Sequence, residues 1–151
     1  MKKQDTSRKY PTQTHPIPAI GAFILNDKNE ILLAKSFKWE GYYCVPGGRV
    51  EIGEKVEETV KKEVKEEVGL TVTDIHFLCI ADAIFPKNFF KKRHFIFLDY
   101  LCRVHGNQTV KLDEDELQSY IWINLEESLK LNIESYTKNT IKNYIIPYLI
   151  K

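Results

Sequence analysis

The chain has 151 residues, 43% hydrophobic and 28% charged, with 22 Lys plus Arg against 21 Asp plus Glu for a net charge of +1. A single domain of this length buries roughly 70% of its unfolded surface and needs no disulfide staples, and so balanced a charge offers no global field for a polyanion, which disfavours nucleic acid as a partner. The three cysteines, Cys44, Cys79 and Cys102, lack the CxxC or Cys/His spacing of a zinc site or a disulfide framework and suit a reducing compartment.

Residues 1–15 are polar and charged, without an apolar period or the apolar core of a signal peptide, and read as a loose arm before a domain at 16–151. Ala19–Leu25 is a short apolar run ended by the turn Asn26-Asp27-Lys28-Asn29, and Ile31–Phe37 follows as the second strand of a hairpin. Tyr42–Val45 is a third strand, stopped by Pro46-Gly47-Gly48. Helical spacing takes over from Lys55 to Val68, with Gly69 where a C-cap belongs. Val72–Phe85 and His94–Val104 are two longer strands joined by the basic, aromatic segment Pro86–Arg93. After the turn at His105–Gln108, the acidic loop Asp113–Glu116 precedes a strand at Tyr120–Ile123, and helical pieces at Leu125–Leu131 and Ser135–Tyr148 close the chain. The order of elements predicts an α/β fold, a mixed sheet sandwiched by helices. The longest apolar runs, Ala19–Leu25 and Tyr144–Ile150, fall far short of a bilayer span, so the expectation is a soluble cytoplasmic protein with no membrane partner.

The helix carries acids where a buried face is expected. At about 100° per residue from Glu63, Val56, Val60, Val64 and Val68 span an arc from about 20° to 140°, with Lys61, Lys62 and Lys65 turned to solvent. Glu66 lies near −60° and Glu67 near 40°, so Glu63 and Glu67 border or enter the apolar arc. Ionised carboxylates there are costly unless paired, and the i, i+3, i+4 spacing brings all three acids within reach of one point. A hard divalent cation answers both problems. A solvated helix laced with pairs such as Glu58–Lys62 is the plainer reading, and the geometry alone leaves both open.

Residues 48–70 resemble the Nudix box: a Gly, five residues, Glu, seven residues, then Arg-Glu-apolar-x-Glu-Glu-x-Gly-apolar. Here it runs Gly48, Glu54, then Lys62-Glu63-Val64-Lys65-Glu66-Glu67-Val68-Gly69-Leu70, with Lys62 standing where the family has Arg, and Tyr43-Cys44-Val45-Pro46-Gly47 resembles the family's entry to the box. The resemblance implies the Nudix α/β/α sandwich around a mixed central sheet. It makes Glu63, Glu66 and Glu67 divalent-metal ligands, one of them serving as the base, and adds the Gly47 carbonyl as a metal contact. Glu54 then has a supporting role. Lys62 supplies the charge of the family's Arg as a point donor, without its bidentate fork. The implied cofactor is Mg²⁺, or Mn²⁺, and the implied reaction is attack of water on phosphorus in a diphosphate.

For the substrate, Pro86, sixteen residues beyond Leu70, resembles a marker of ADP-ribose enzymes, though a turn proline has an ordinary steric reason. Arg49 and Arg93 are candidate phosphate contacts, and Trp39, Tyr43, Phe89 and Phe90 are candidates to stack a base. Glu116, six residues before Trp122, is a candidate acid from outside the helix, with Glu114 behind it. The leading expectation is a pyrophosphohydrolase of a small nucleotide-like molecule, a nucleoside diphosphate derivative such as ADP-ribose or a nucleotide sugar. A nucleoside triphosphate pyrophosphohydrolase is the alternative, followed by a Nudix-fold ligand-binding regulator without catalysis. An enzyme acting on RNA would need a basic groove that only Lys87–Arg93 offers. A homodimer stays open.

Overall fold

The computed structural model describes residues 13–150; most of the expected N-terminal arm, residues 1–12, lies outside them. Gln13 is fastened at the sheet's edge, its Nε2–H donating to the His94 carbonyl at 2.7 Å and its Oε1 accepting the His94 N–H at 3.0 Å.

Seven strands form one mixed sheet: β1 (Ile17–Leu25), β2 (Glu30–Ser36), β3 (Tyr43–Cys44), β4 (Gly47–Arg49), β5 (Thr73–Ile84), β6 (His94–Arg103) and β7 (Leu117–Asn124). β1 pairs in parallel with β6 along its whole length and β5 pairs antiparallel outside β6. The expected β1–β2 hairpin is barely one, since the two strands pair only at Leu25 and Ile31. The rest of that edge of β1 is taken by β4, with Ala19, Ile20 and Gly21 opposite Arg49, Gly48 and Gly47. β2 swings away to pair with β7 and β3. This fork in the sheet creates the cleft described below.

Strand β4 was read from sequence as the stop after β3. Its approach to β1 depends on glycine: a Cβ on Gly47 would lie 2.2 Å from the Ile20 carbonyl oxygen. Helix α1 (Val56–Val68) matches its expected span to within a residue. Val60, Val64 and Val68 are fully buried beneath it, each contributing about 1.5–3 kcal/mol by leaving water. Gly69 ends the helix at φ 72°, its N–H donating to the Lys65 carbonyl at 3.1 Å. These valines pack with Ile20, Ala22, Ile24, Tyr100 and Cys102 on one face of the sheet.

On the opposite face Phe23, Leu25, Ile31, Leu33 and Leu101 meet Leu125, Ile133, Ile141 and Ile145 from the closing helices. These are α2 (Leu125–Ser128), α3 (Ser135–Thr140) and α4 (Ile146–Ile150), with a π-turn at Ile141–Ile145 between the last two. The layers are therefore helix, mixed sheet, helix, as expected. Cys44, Cys79 and Cys102 are buried free thiols. Among the described residues no helix is long and apolar enough to cross a membrane.

Candidate metal and phosphate site

Beneath the fork, α1 presents its acids to the glycines of β4. Gly48 leaves room for Glu63, whose Cδ would stand 2.5 Å from a Cβ at that position. One turn on, Glu67 accepts a hydrogen bond from the Gly47 N–H at 3.4 Å. The Glu63 and Glu67 carboxyls lie close enough to act directly on each other. Burial, and then the charge of Glu63, push Glu67 well above the usual carboxylate range; burial and the charge of Glu66 push Glu63 up as well. Two carboxyls set this close cannot both ionise without cost. Lys62 Nζ lies 3.9 Å from Glu63 and 2.5 Å from Glu54.

Glu54 is the tie between the box's loop and its helix. It accepts from the Glu51 N–H at 3.0 Å, the Thr59 hydroxyl at 2.8 Å and Lys62, and these partners hold its carboxyl down to about 2, Lys62 foremost. Lys62 thus spends its closest contact on Glu54, as a point donor does, rather than bracketing a catalytic acid with a fork.

Glu66 is exposed, within electrostatic range of Glu63 and Lys62. Among the described residues no three His, Cys, Asp or Glu side chains stand close enough to form a ready-made metal nest. The donor set nonetheless suits a hard divalent cation. Two acids are pressed together, half-buried beside a glycine backbone, and a cation would offset the repulsion between them. Glu63 and Glu67 would hold it, with Glu66 and the Gly47 carbonyl nearby.

Glu67 opens on a cleft of about 270 Å³ bordered also by Gly47 and Gly48, with Arg49, Arg93 and Glu116 along its walls. Glu116 is ion-paired to Lys38 at 3.0 Å, and its charge adds to that of Glu63 in raising Glu67. The rest of the acidic loop is elsewhere: Glu114 lies in a separate depression with Val110 and Asp115. Trp39, Phe89 and Phe90 border the main cleft, whereas Tyr43 packs into the second core layer. Pro86 forms a turn, its carbonyl accepting the Phe89 N–H at 3.3 Å. Phe95, Phe97, Asp99, Glu134 and Tyr136, none singled out from the sequence, also border the cleft. A signal was present in Asp99, a lone acid inside the apolar run Phe95–Leu101.

The NUDIX domain model matches residues 15–144. The chain belongs to the Nudix family. The nucleoside triphosphatase NudI of Escherichia coli K12 is 32% identical over 108 residues, 68% of this Nudix chain and 75% of that protein. The crystal structure of a MutT NUDIX hydrolase from Burkholderia pseudomallei superposes with a TM-score of 0.72 at 28% identity, covering 85% of this chain and 97% of that one. The MutT protein of Methanosarcina mazei Go1 gives 0.67 at 25% identity, covering 87% and 94%. The chain is thus a Nudix pyrophosphohydrolase acting on a nucleotide-like small molecule, in a family that generally requires divalent metal ions.

Proposed function

We propose that this Nudix chain hydrolyses nucleoside triphosphates to nucleoside monophosphate and pyrophosphate, with Mg²⁺ or Mn²⁺. The observation that carries the reading is the Glu63–Glu67 pair set against Gly47 and Gly48 beside an aromatic cleft. The similarity to a nucleoside triphosphatase favours a triphosphate over other nucleotides.

Glu63 and Glu67, with Glu66 and the Gly47 carbonyl, would hold a divalent cation, which when bound would supply neutralisation of phosphate charge and a more acidic water. Arg49 and Arg93 along the cleft walls meet the phosphate oxygens. Lys62 holds Glu54 and so fixes the entry to α1. Glu67 Oε1, beside the Gly47 N–H, accepts the proton of the attacking water, while the bond from oxygen to the α-phosphorus forms and the bond to the β-bridging oxygen breaks. Glu116 is the second candidate for that proton, from the opposite wall.

The other reading the resemblance allows, a nucleoside diphosphate derivative, cuts the same kind of bond, and its marker for ADP-ribose, Pro86, has a structural reason in its turn. The deciding experiment incubates the purified protein and Mg²⁺ with the common nucleoside triphosphates, ADP-ribose and nucleotide sugars. The expected products are a monophosphate and pyrophosphate from at least one triphosphate. Turnover confined to ADP-ribose or nucleotide sugars would replace the proposal with the diphosphate reading. Tight binding without hydrolysis in Mg²⁺ or Mn²⁺ would make the protein a ligand-binding regulator.

A further inference from the structure

Beyond the acidic pair the cleft runs across β1 into an aromatic chamber. Gly47, Gly21 and Asp99 are direct neighbours on β4, β1 and β6. At about 4.8 Å per strand this row sets Asp99 roughly 10 Å from Gly47, comparable with the reach from the far edge of a nucleobase across its ribose to the α-phosphate. Phe95, Phe97 and Asp99 alternate along β6 and so share one face of the sheet. The Phe95 and Phe97 rings stack at 5.2 Å and 14°, and Phe89 and Tyr136 close on them edge-on. Asp99 stands one strand repeat beyond Phe97, about 6.8 Å, the width of a base lying on that ring.

Asp99 is 5% exposed yet borders this chamber. Its two donors, the Thr140 hydroxyl at 2.7 Å and the Cys79 thiol at 3.9 Å, both address Oδ2. Oδ1 accepts no hydrogen bond from any described residue and is not sealed from the cleft. Gly21 keeps it clear, since a Cβ there would lie 2.7 Å from Oδ1. Glu134, the other buried acid of the chamber, is spent on the start of α3: it accepts from the Tyr136 N–H at 2.6 Å, the Thr137 N–H at 3.0 Å and the Thr137 hydroxyl at 2.9 Å. Burial above all pushes the Asp99 carboxyl up to about 7, and Glu134 adds to the push. A desolvated carboxyl with a spare oxygen at the end of an aromatic slot is stabilised by an N–H from a ligand.

The geometry points to Asp99 as the residue that sets base specificity: a nucleobase stacked on Phe95 and Phe97 donates an amino N–H to Asp99 Oδ1, so bases carrying an amino group are preferred over those carrying oxygen or hydrogen in its place. This rests on the nucleotide reading of the cleft given above. It assigns Asp99 no part in the bond-breaking step.

The test measures dissociation constants of nucleoside monophosphates by calorimetry in EDTA, independently of metal and turnover. The matched pairs are GMP with IMP, AMP with purine riboside monophosphate, and CMP with UMP. The wild type is expected to favour the amino-bearing member of at least one pair by about tenfold or more. Asp99→Leu is expected to bring that ratio close to one while leaving the weaker member's affinity intact. Asp99→Asn, which retains an acceptor oxygen, keeps part of the preference and covers the case in which the leucine variant does not fold. No preference in any pair, or equal weakening of both members by the substitutions, would overturn the assignment. Base-selective binding without release of pyrophosphate would leave Asp99's role standing and defeat the triphosphate reading instead.

Discussion

Replacing Glu67 by Gln is expected to stabilise the metal-free protein while abolishing its turnover. In the wild type two half-buried acids stand against each other, and Glu67 is raised well above its ordinary range by burial and by Glu63. At pH 8 the fold must either hold a proton on the pair or bear two adjacent charges. The amide keeps the shape and removes the conflict: its oxygen accepts the Gly47 N–H, which in the wild type reaches Glu67 Oε1 at 3.4 Å, and its NH₂ donates to Glu63. Satisfying a buried carboxylate in this way gains roughly 1–3 kcal/mol, and at about 2–4 °C per kcal/mol for a chain of this size the melting temperature in EDTA rises on the order of 5 °C. Metal closes or reverses the gap. At about 100 times its dissociation constant, a cation adds about 2.7 kcal/mol to the wild type and far less to the variant. Thermal unfolding of both proteins in EDTA and in Mn²⁺, beside steady-state turnover, checks the whole set. A variant that melts below the wild type in EDTA, or that retains turnover, refutes the reasoning.

Three further outcomes follow from named contacts. Lys62→Met removes the cation from Glu54 and Glu63 and is expected to raise the metal concentration for half-maximal activity by about 10–100-fold, with Lys62→Arg close to wild type; a metal titration of activity measures it. The adjacent glycines should separate stability from activity. Gly47→Ala drives a Cβ into the Ile20 backbone and costs about 1–3 kcal/mol in denaturant unfolding, whereas Gly48→Ala displaces only the flexible end of Glu63 and lowers turnover with little change in stability. His105 bridges Asp27 at 2.8 Å and Asp74 at 3.3 Å, and those carboxylates, Asp27 first, raise its pKa above 6.5. Its contribution to stability is fully present below pH 6.5 and is lost as pH rises through the folded-state value. Melting curves from pH 5.5 to 9 should show a larger loss in the wild type than in His105→Gln, the remainder belonging to the raised carboxyls of Asp99 and Glu67.

Helix α1 was legible in the sequence because its valines recur at i+4 and its cap is a glycine, and the misplacement of Glu63 and Glu67 on its apolar border already marked a site. The long strands were legible from their apolar runs. β4 was not, because nothing in Pro46-Gly47-Gly48 favours a strand. It forms because two residues without a Cβ allow β1 and Glu63 to come close. The aromatic chamber was half legible: Trp39, Phe89 and Phe90 drew notice, but Phe95 and Phe97 read as ordinary strand residues until β6 set them on the cleft face. Asp99 and Glu134 are far apart in sequence, and only the parallel pairing of β6 with β1 and the docking of α3 bring them together. The π-turn at Ile141–Ile145 left no trace in the apolar pattern of its helix.

The fork at β1 divides labour between that strand's two edges. Along one edge hang the glycines and acids proposed to sever a phosphoanhydride; along the other stand the rings and the lone carboxyl proposed to face whatever the phosphates are attached to. On that proposal, substitutions on β6 and at the start of α3 remodel what is accepted without moving the atoms assigned to the cutting. The weak point of such a layout is Gly21, paired with Gly47 on one flank and Asp99 on the other, where any side chain would crowd Asp99.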